Sequence, residues 1–286
     1  MAFAQRKQGS GMNPHAAAFA CNTYSSMLSR TASDTLTHLA EQGFAEVELM
    51  MYPGHLWPSE VNAASRRALR WQAEALGVRI GTLNMPNVDM NIAGASPEMR
   101  RYTLKLLEGI VDLAGDLGVP GIVIGPGKAN PLFPLPPEQL TGYFFAALDT
   151  LLPRAQKAGT ALWVENMPFA FLPGIDELMD ALDHYGNDTI GIVFDVANSH
   201  FVAEDIGAAL ERCRARLKLV HLSDTGQQVY KHAPIGSGTV PFAEIPDALA
   251  AVGYNRSAML EIISHDPDRD IRRSTERLNE LGFVRA

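Results

Sequence analysis

From Ala18 onward the chain alternates a short apolar run with a longer amphipathic one, and it does so eight times. The short runs predict strands at Ala18–Asn22, Ala45–Met50, Arg79–Leu83, Gly121–Ile124, Ala161–Glu165, Gly191–Asp195, Leu217–Leu222 and Ala258–Ile262. Helical periodicity fills the intervals at Asp34–Gly43, Ser59–Leu76, Pro97–Leu117, Pro137–Lys157, Ile175–His184, Ile206–Arg214, Phe242–Val252 and Asp268–Leu281. Gly43, Gly77, Gly118, Gly159 and Gly253 each stand between a helix and the next strand. Glycine takes the left-handed C-cap conformation without steric cost, so a short turn follows. Strict βα alternation implies parallel strands with right-handed crossovers. Eight such units close into a single-domain α/β fold, the (β/α)8 TIM barrel. A doubly wound open sheet is the competing architecture. It would place a glycine-rich fingerprint after the first strand, where the chain reads Cys21-Asn22-Thr23-Tyr24.

The 286 residues suit one barrel, which we assign to residues 15–286, with residues 1–14 read as a loose N-terminal arm. The net charge of −8 and the lack of any basic block argue against a nucleic-acid partner. Two cysteines, Cys21 and Cys213, are too few for a disulfide framework and read as reduced thiols. No apolar run approaches a membrane span, and the first residues do not resemble a secretory signal, so the expectation is a cytoplasmic protein without membrane contact.

In such a barrel the chemistry belongs at the carboxyl ends of the strands. Four successive strands end there in Glu165, Asp195, His221 and Glu261. One acid closing a strand is ordinary; it caps a helix or pairs with an arginine. Three carboxylates and an imidazole on consecutive parallel strands converge on one mouth and offer an oxygen-rich site for a divalent metal. Glu165 and Glu261, on strands five and eight, would face a substrate carbon from two sides. Such a pair can remove a proton beside a polarised carbonyl and return one from the other face.

Further side chains on the same rim are candidate substrate contacts: Glu48, Asn84, His200 and His232, with His55 and Trp57 as an aromatic side of the pocket. Each has a structural reading beside it. Glu48 could pair with a basic neighbour, His200 and Asn198 could serve a helix cap, and the His55–Trp57 loop could be packing alone. His232 precedes a glycine-rich turn that could present backbone N–H groups to a ligand. The Gly125–Pro137 stretch, with five prolines, reads as a stiff loop or as a wall over the mouth.

The segments Trp163-Val-Glu-Asn166, Phe194-Asp-Val-Ala-Asn-Ser-His200, Val220-His-Leu-Ser-Asp224, His232-Ala-Pro-Ile-Gly-Ser-Gly238 and Leu260-Glu261 resemble the xylose isomerase-like TIM-barrel superfamily, in its sugar phosphate isomerase/epimerase branch. The resemblance runs over nearly the whole chain from Ala18. It implies that Glu165, Asp195, His221 and Glu261 bind one divalent ion, Mn2+ first, with Mg2+, Co2+ or Zn2+ as alternatives. It also implies that the two glutamates are the acid/base pair, and that the protein is a homodimer or homotetramer. The apurinic endonucleases of this superfamily have a histidine where this chain has Asn198, and Asp-Arg-His where it has Tyr230-Lys231-His232, so two ligands of a multi-zinc cluster are missing. Many epimerases also carry a histidine three residues after the aspartate, whereas here His200 lies five residues on, and no arginine follows His221 in the usual way. The expected function is a sugar isomerase or epimerase acting through an enediolate on a small ketose, keto-sugar or polyol derivative. A metal-dependent lyase of a keto-sugar acid is the alternative, followed by a non-catalytic sugar-binding barrel.

Overall fold

The computed structural model describes residues 17–86 and 89–286; the N-terminal arm expected over residues 1–14 lies outside them. The order is β1 (Ala18–Asn22), α1 (Ala32–Glu41), β2 (Glu46–Met50), α2 (Ala63–Leu76), β3 (Arg79–Asn84), α3 (Pro97–Leu117), β4 (Gly121–Ile124), α4 (Pro137–Ala158) and β5 (Ala161–Glu165). There follow α5 (Ile175–Tyr185), β6 (Gly191–Asp195), α6 (Val196–Phe201), α7 (Ile206–Cys213), β7 (Leu217–Leu222), α8 (Ile245–Ala251), β8 (Ala258–Leu260), α9 (Pro267–Glu280) and β9 (Val284–Arg285). Strands β2 to β8 pair in sequence order, and β1 pairs in parallel with both β8 and β2, so the sheet closes into the expected barrel. The short β9 joins β1 at Ala18 and Phe19, below the point where β1 meets β2. Among the described residues no helix is long and apolar enough to cross a membrane.

Local chemistry sets the helix limits. Asn62 accepts hydrogen bonds from the N–H groups of Ala64 and Ser65, so α2 begins at Ala63 rather than at Ser59 as predicted. Ser96 caps α3 in the same way, with Pro97 at its first position. Gly77, Gly118 and Gly159 close α2, α3 and α4 with φ of 67°, 70° and 74°, as their sequence positions require. The helix α6 is unpredicted. It starts directly on Asp195, whose side chain accepts the N–H of Asn198 at 2.7 Å.

Because side chains alternate along a strand, each strand feeds two separate layers. Leu162 and Val164 join the large apolar core between sheet and helices. Trp163 belongs to the other cluster, with Ala20, Val123, Val193, Leu219 and Met259, which fills the barrel axis. The same alternation puts Glu165 on the axis, two residues above Trp163. The indole fits because its flanking strands carry Gly121 and Gly191 at its level. A Cβ on either glycine would run into the Trp163 ring, and at Gly191 also into Lys218. This apolar plug closes the barrel beneath its polar upper layer. Replacing Gly121 or Gly191 with alanine should therefore overpack the axis and cost about 1–3 kcal/mol of stability. The expected reading is a lower urea midpoint for each variant, and an unchanged midpoint would refute the packing described.

Candidate metal centre

Period-two alternation lifts one polar residue above the plug on each of several strands. Glu165, Asp195, His221 and Glu261 thus meet on the axis, all buried. One ligand atom from each lies within 4.8 Å of the others. The centre of the group is His221 Nδ1. It stands 3.1 Å from Glu165 Oε1, 3.2 Å from Glu261 Oε2 and 3.9 Å from Asp195 Oδ2. Glu261 lies just past β8, held to the barrel by its N–H donating to the Leu222 carbonyl at 2.9 Å.

The residues present fit a divalent cation. Asp195 Oδ1 is occupied by the α6 N-terminus, whereas Oδ2 is buried with no hydrogen-bond partner. An orphaned carboxylate oxygen costs free energy unless something positive meets it. Three carboxylates and one imidazole form a hard donor set suited to Mn2+, Mg2+, Co2+ or Zn2+. The far side of the imidazole is also fixed, as metal-binding histidines require. His221 Nε2 lies 3.1 Å from Glu48 Oε1, and Glu48 is itself fully buried.

Glu48 is therefore behind the centre rather than facing a substrate. It accepts from Asn22 Nδ2 and Thr82 Oγ1 in short hydrogen bonds and from Asn84 Nδ2 at 3.2 Å. Asn22 and Asn84 also donate to Glu261 Oε1, at 3.1 and 3.0 Å. Two amides thus tie Glu48 to Glu261 and leave Glu261 Oε2 directed at the centre. A bulge assists, because Gly81 is skipped in the β2–β3 register and Thr82 stands opposite Glu48.

His232 completes the polar side. Its Nδ1 is 3.4 Å from Glu261 Oε2, and its Nε2 is 2.6 Å from the Tyr230 hydroxyl. Tyr230 donates in turn to Asn198 Oδ1 at 2.6 Å. The crowded acids set the protonation of the group. Burial, helped by the neighbouring carboxylates of Glu261 and Asp195, pushes Glu165 up to about 7 against the pull of His221. Burial also opposes the charge on Glu261, but His221 and His232 outweigh it and hold that carboxyl below the ordinary range. For His232, burial is overcome by Asp195 and Glu261, which raise the imidazole to about 9.

A cavity of about 280 Å³ opens onto the centre, lined among others by Tyr24, Asn84, Glu165, Asn198, Tyr230, His232 and Glu261. Of the predicted contacts, Asn84 and His232 line it, and Gly125, Gly127 and Lys128 from the proline-rich stretch form part of its wall. Trp57 does not reach it and lines a separate surface cavity beside α2. His55 is tied down by Arg30 O at 2.7 Å and Thr23 Oγ1 at 3.1 Å, so that loop serves packing. His200 also stands apart, with Nε2 at 2.8 Å from Thr239 Oγ1, because α6 turns it away from the axis. Tyr24 lines the cavity without any sequence signal beyond its place after β1.

A closed barrel with a carboxylate–histidine centre that could hold a metal at the carboxyl ends of its strands defines the class. The family model "Xylose isomerase-like TIM barrel" matches residues 36–281, and the chain belongs to that family. An L-ribulose 3-epimerase from Mesorhizobium japonicum is 26% identical over 258 residues, covering 88% of this chain and 81% of the relative. A fructoselysine 3-epimerase from Shigella flexneri is 20% identical over 253 residues, covering 85% of this chain and 90% of the relative. Among solved structures, a D-tagatose 3-epimerase-like protein superposes with a TM-score of 0.80 at 21% identity, covering 92% of this chain and 96% of that one.

The support behind His221 has a measurable consequence. Glu48→Ala leaves all four central residues in place yet frees the imidazole, and should weaken Mn2+ affinity by about 10–100-fold. Competition titration against a chelating dye measures this, and unchanged affinity would remove Glu48 from the centre.

Proposed function

We propose that this protein is a divalent-metal-dependent epimerase or isomerase of a small ketose or keto-sugar, with Glu165 and Glu261 as its acid/base pair. The observation that carries this reading is the convergence of two buried glutamates, one at the end of β5 and one just past β8, on Nδ1 of His221 at 3.1 and 3.2 Å. The epimerase relatives and the family support the reaction class.

A bound divalent cation supplies Lewis-acid polarisation of the substrate carbonyl, which acidifies the neighbouring C–H. The protein's own residues do the rest. One glutamate takes the proton from one face of that carbon, and the other returns a proton from the opposite face, inverting it. Their protein surroundings differ, burial raising Glu165 and the imidazoles of His221 and His232 lowering Glu261. Asn22 and Asn84 keep Glu261 at a fixed angle. The plug of Trp163 and Met259 keeps water out from below.

Incubation with Mn2+ and a panel of ketoses in D2O is the test. Deuterium should enter at a carbon beside the carbonyl without elimination, and exhaustive chelation should abolish exchange. Elimination of water or loss of CO2 in place of exchange would instead assign a lyase. Glu165→Gln and Glu261→Gln should each lower turnover by at least ~100-fold, and full turnover in both variants would overturn the mechanism.

A further inference from the structure

Asn166 and Asn198 are both buried beside the centre. Asn166 follows Glu165 directly and pairs its amide with the backbone of β6. Its Oδ1 accepts the Asp195 N–H at 2.8 Å, and its Nδ2 donates to the Asp195 carbonyl at 3.2 Å. The main-chain carbonyl of Asn166, fixed in this way, accepts from Asn198 Nδ2 at 2.8 Å. A carbonyl can only accept, so the Asn198 amide has one orientation, with Oδ1 turned to the Tyr230 hydroxyl at 2.6 Å. An amide oxygen likewise only accepts, and the phenol proton is therefore committed to Asn198. Burial first, and then the nearby acids, hold the Tyr230 pKa far above the ordinary range, so the hydroxyl keeps that proton. What the phenol oxygen offers His232 Nε2, 2.6 Å away, is a lone pair, and Nε2 must carry a hydrogen.

The rest of the loop is pinned around this chain of hydrogen bonds. The His232 carbonyl accepts the Ile263 N–H at 2.7 Å, and Asp224 and Ala233 exchange backbone hydrogen bonds at 2.9 and 2.8 Å. Phe169 and Phe201 pack on the Tyr230 ring at centroid distances of 5.3 and 5.2 Å. The freedom left to His232 is a half-turn of its ring, which would carry Nδ1 away from Glu261 and put a carbon in its place. The Tyr230 hydroxyl opposes that turn, because it would lose its nitrogen partner. In the observed setting Nδ1 lies 3.4 Å from Glu261 Oε2 and 3.1 Å from Ser223 Oγ. Resting on the reading that Glu261 moves a proton at the substrate carbon, we propose that Tyr230 is a positioning residue for the reaction. Its hydroxyl, oriented by Asn198, fixes a hydrogen on His232 Nε2 and so keeps Nδ1 turned to Glu261. A reacting group displaced by a fraction of its reach loses up to about 100-fold in rate, so the alignment matters although Tyr230 itself transfers nothing.

Heteronuclear NMR of the histidine ring nitrogens tests the alignment without requiring turnover. In the Mg2+-loaded protein, at a pH that leaves the imidazole neutral, it shows which nitrogen carries the hydrogen, and a His232→Gln spectrum assigns the signal. The wild-type ring should be the Nε2–H tautomer. Tyr230→Phe keeps the aromatic packing but removes the hydroxyl, and should show both tautomers. Asn198→Leu takes away the acceptor of the phenol proton, so Tyr230 should donate to the imidazole instead and move the hydrogen to Nδ1. Any other wild-type tautomer, or an unchanged tautomer in Tyr230→Phe, overturns the proposal. D2O exchange on a ketose reports separately on the reaction. Tyr230→Phe should lower the maximal exchange rate at least about tenfold while KM stays within about twofold, and an undiminished rate also overturns the proposal. The expected tautomers with no exchange on any ketose in the wild type leave the alignment of His232 standing and defeat the epimerase reading.

Discussion

Four buried carboxylates, Glu48, Glu165, Asp195 and Glu261, share a space in which the buried imidazoles of His221 and His232 are the only cationic side chains that touch them among the described residues. Buried charge of one sign is tolerated only when it is neutralised or given hydrogen bonds. Much of the upper barrel is explained by that demand. Asn22, Thr82 and Asn84 donate to the acids from β1 and β3, and the α6 backbone donates to Asp195. What these donors leave exposed is a set of oxygens aimed at one point, which a doubly charged cation would satisfy. The structure of the upper barrel and its fitness for a cation are thus two sides of one electrostatic problem.

The apolar plug below is the complement of this polar layer. Trp163 lies on the axis only because Gly121 and Gly191 leave room for it. With the floor dry and filled, the carboxylates above it are screened from water on one side and reach a small cavity on the other. The site consequently combines a rigid base with a mouth lined by loops from several strands.

The barrel and its four central residues were legible in the sequence because both follow from periodicity. Eight apolar runs give eight strands, and a polar residue at the end of a run falls on the axis when the parity is right. Parity also explains Glu48, which ends no apolar run and whose role as a support for His221 depends on a register bulge at Gly81 that no local pattern announces. His200 and Trp57 looked equally eligible as rim residues. Their directions are decided by the helix that starts on Asp195 and by the packing of the loop around His55, both of which are tertiary events.

The seam between β1 and β2 bears on the completeness of the centre. Their upper ends pair at Cys21–Val47 and Asn22–Glu48, while β9 lies against the lower part of β1, and the Ala286 carbonyl accepts the Ala45 N–H at 3.3 Å. Asn22 and Glu48, which steady the centre, sit immediately above that wedge, whereas the four central residues come from the second half of the chain. The centre and its supports are therefore complete only where the two ends of the barrel are in contact.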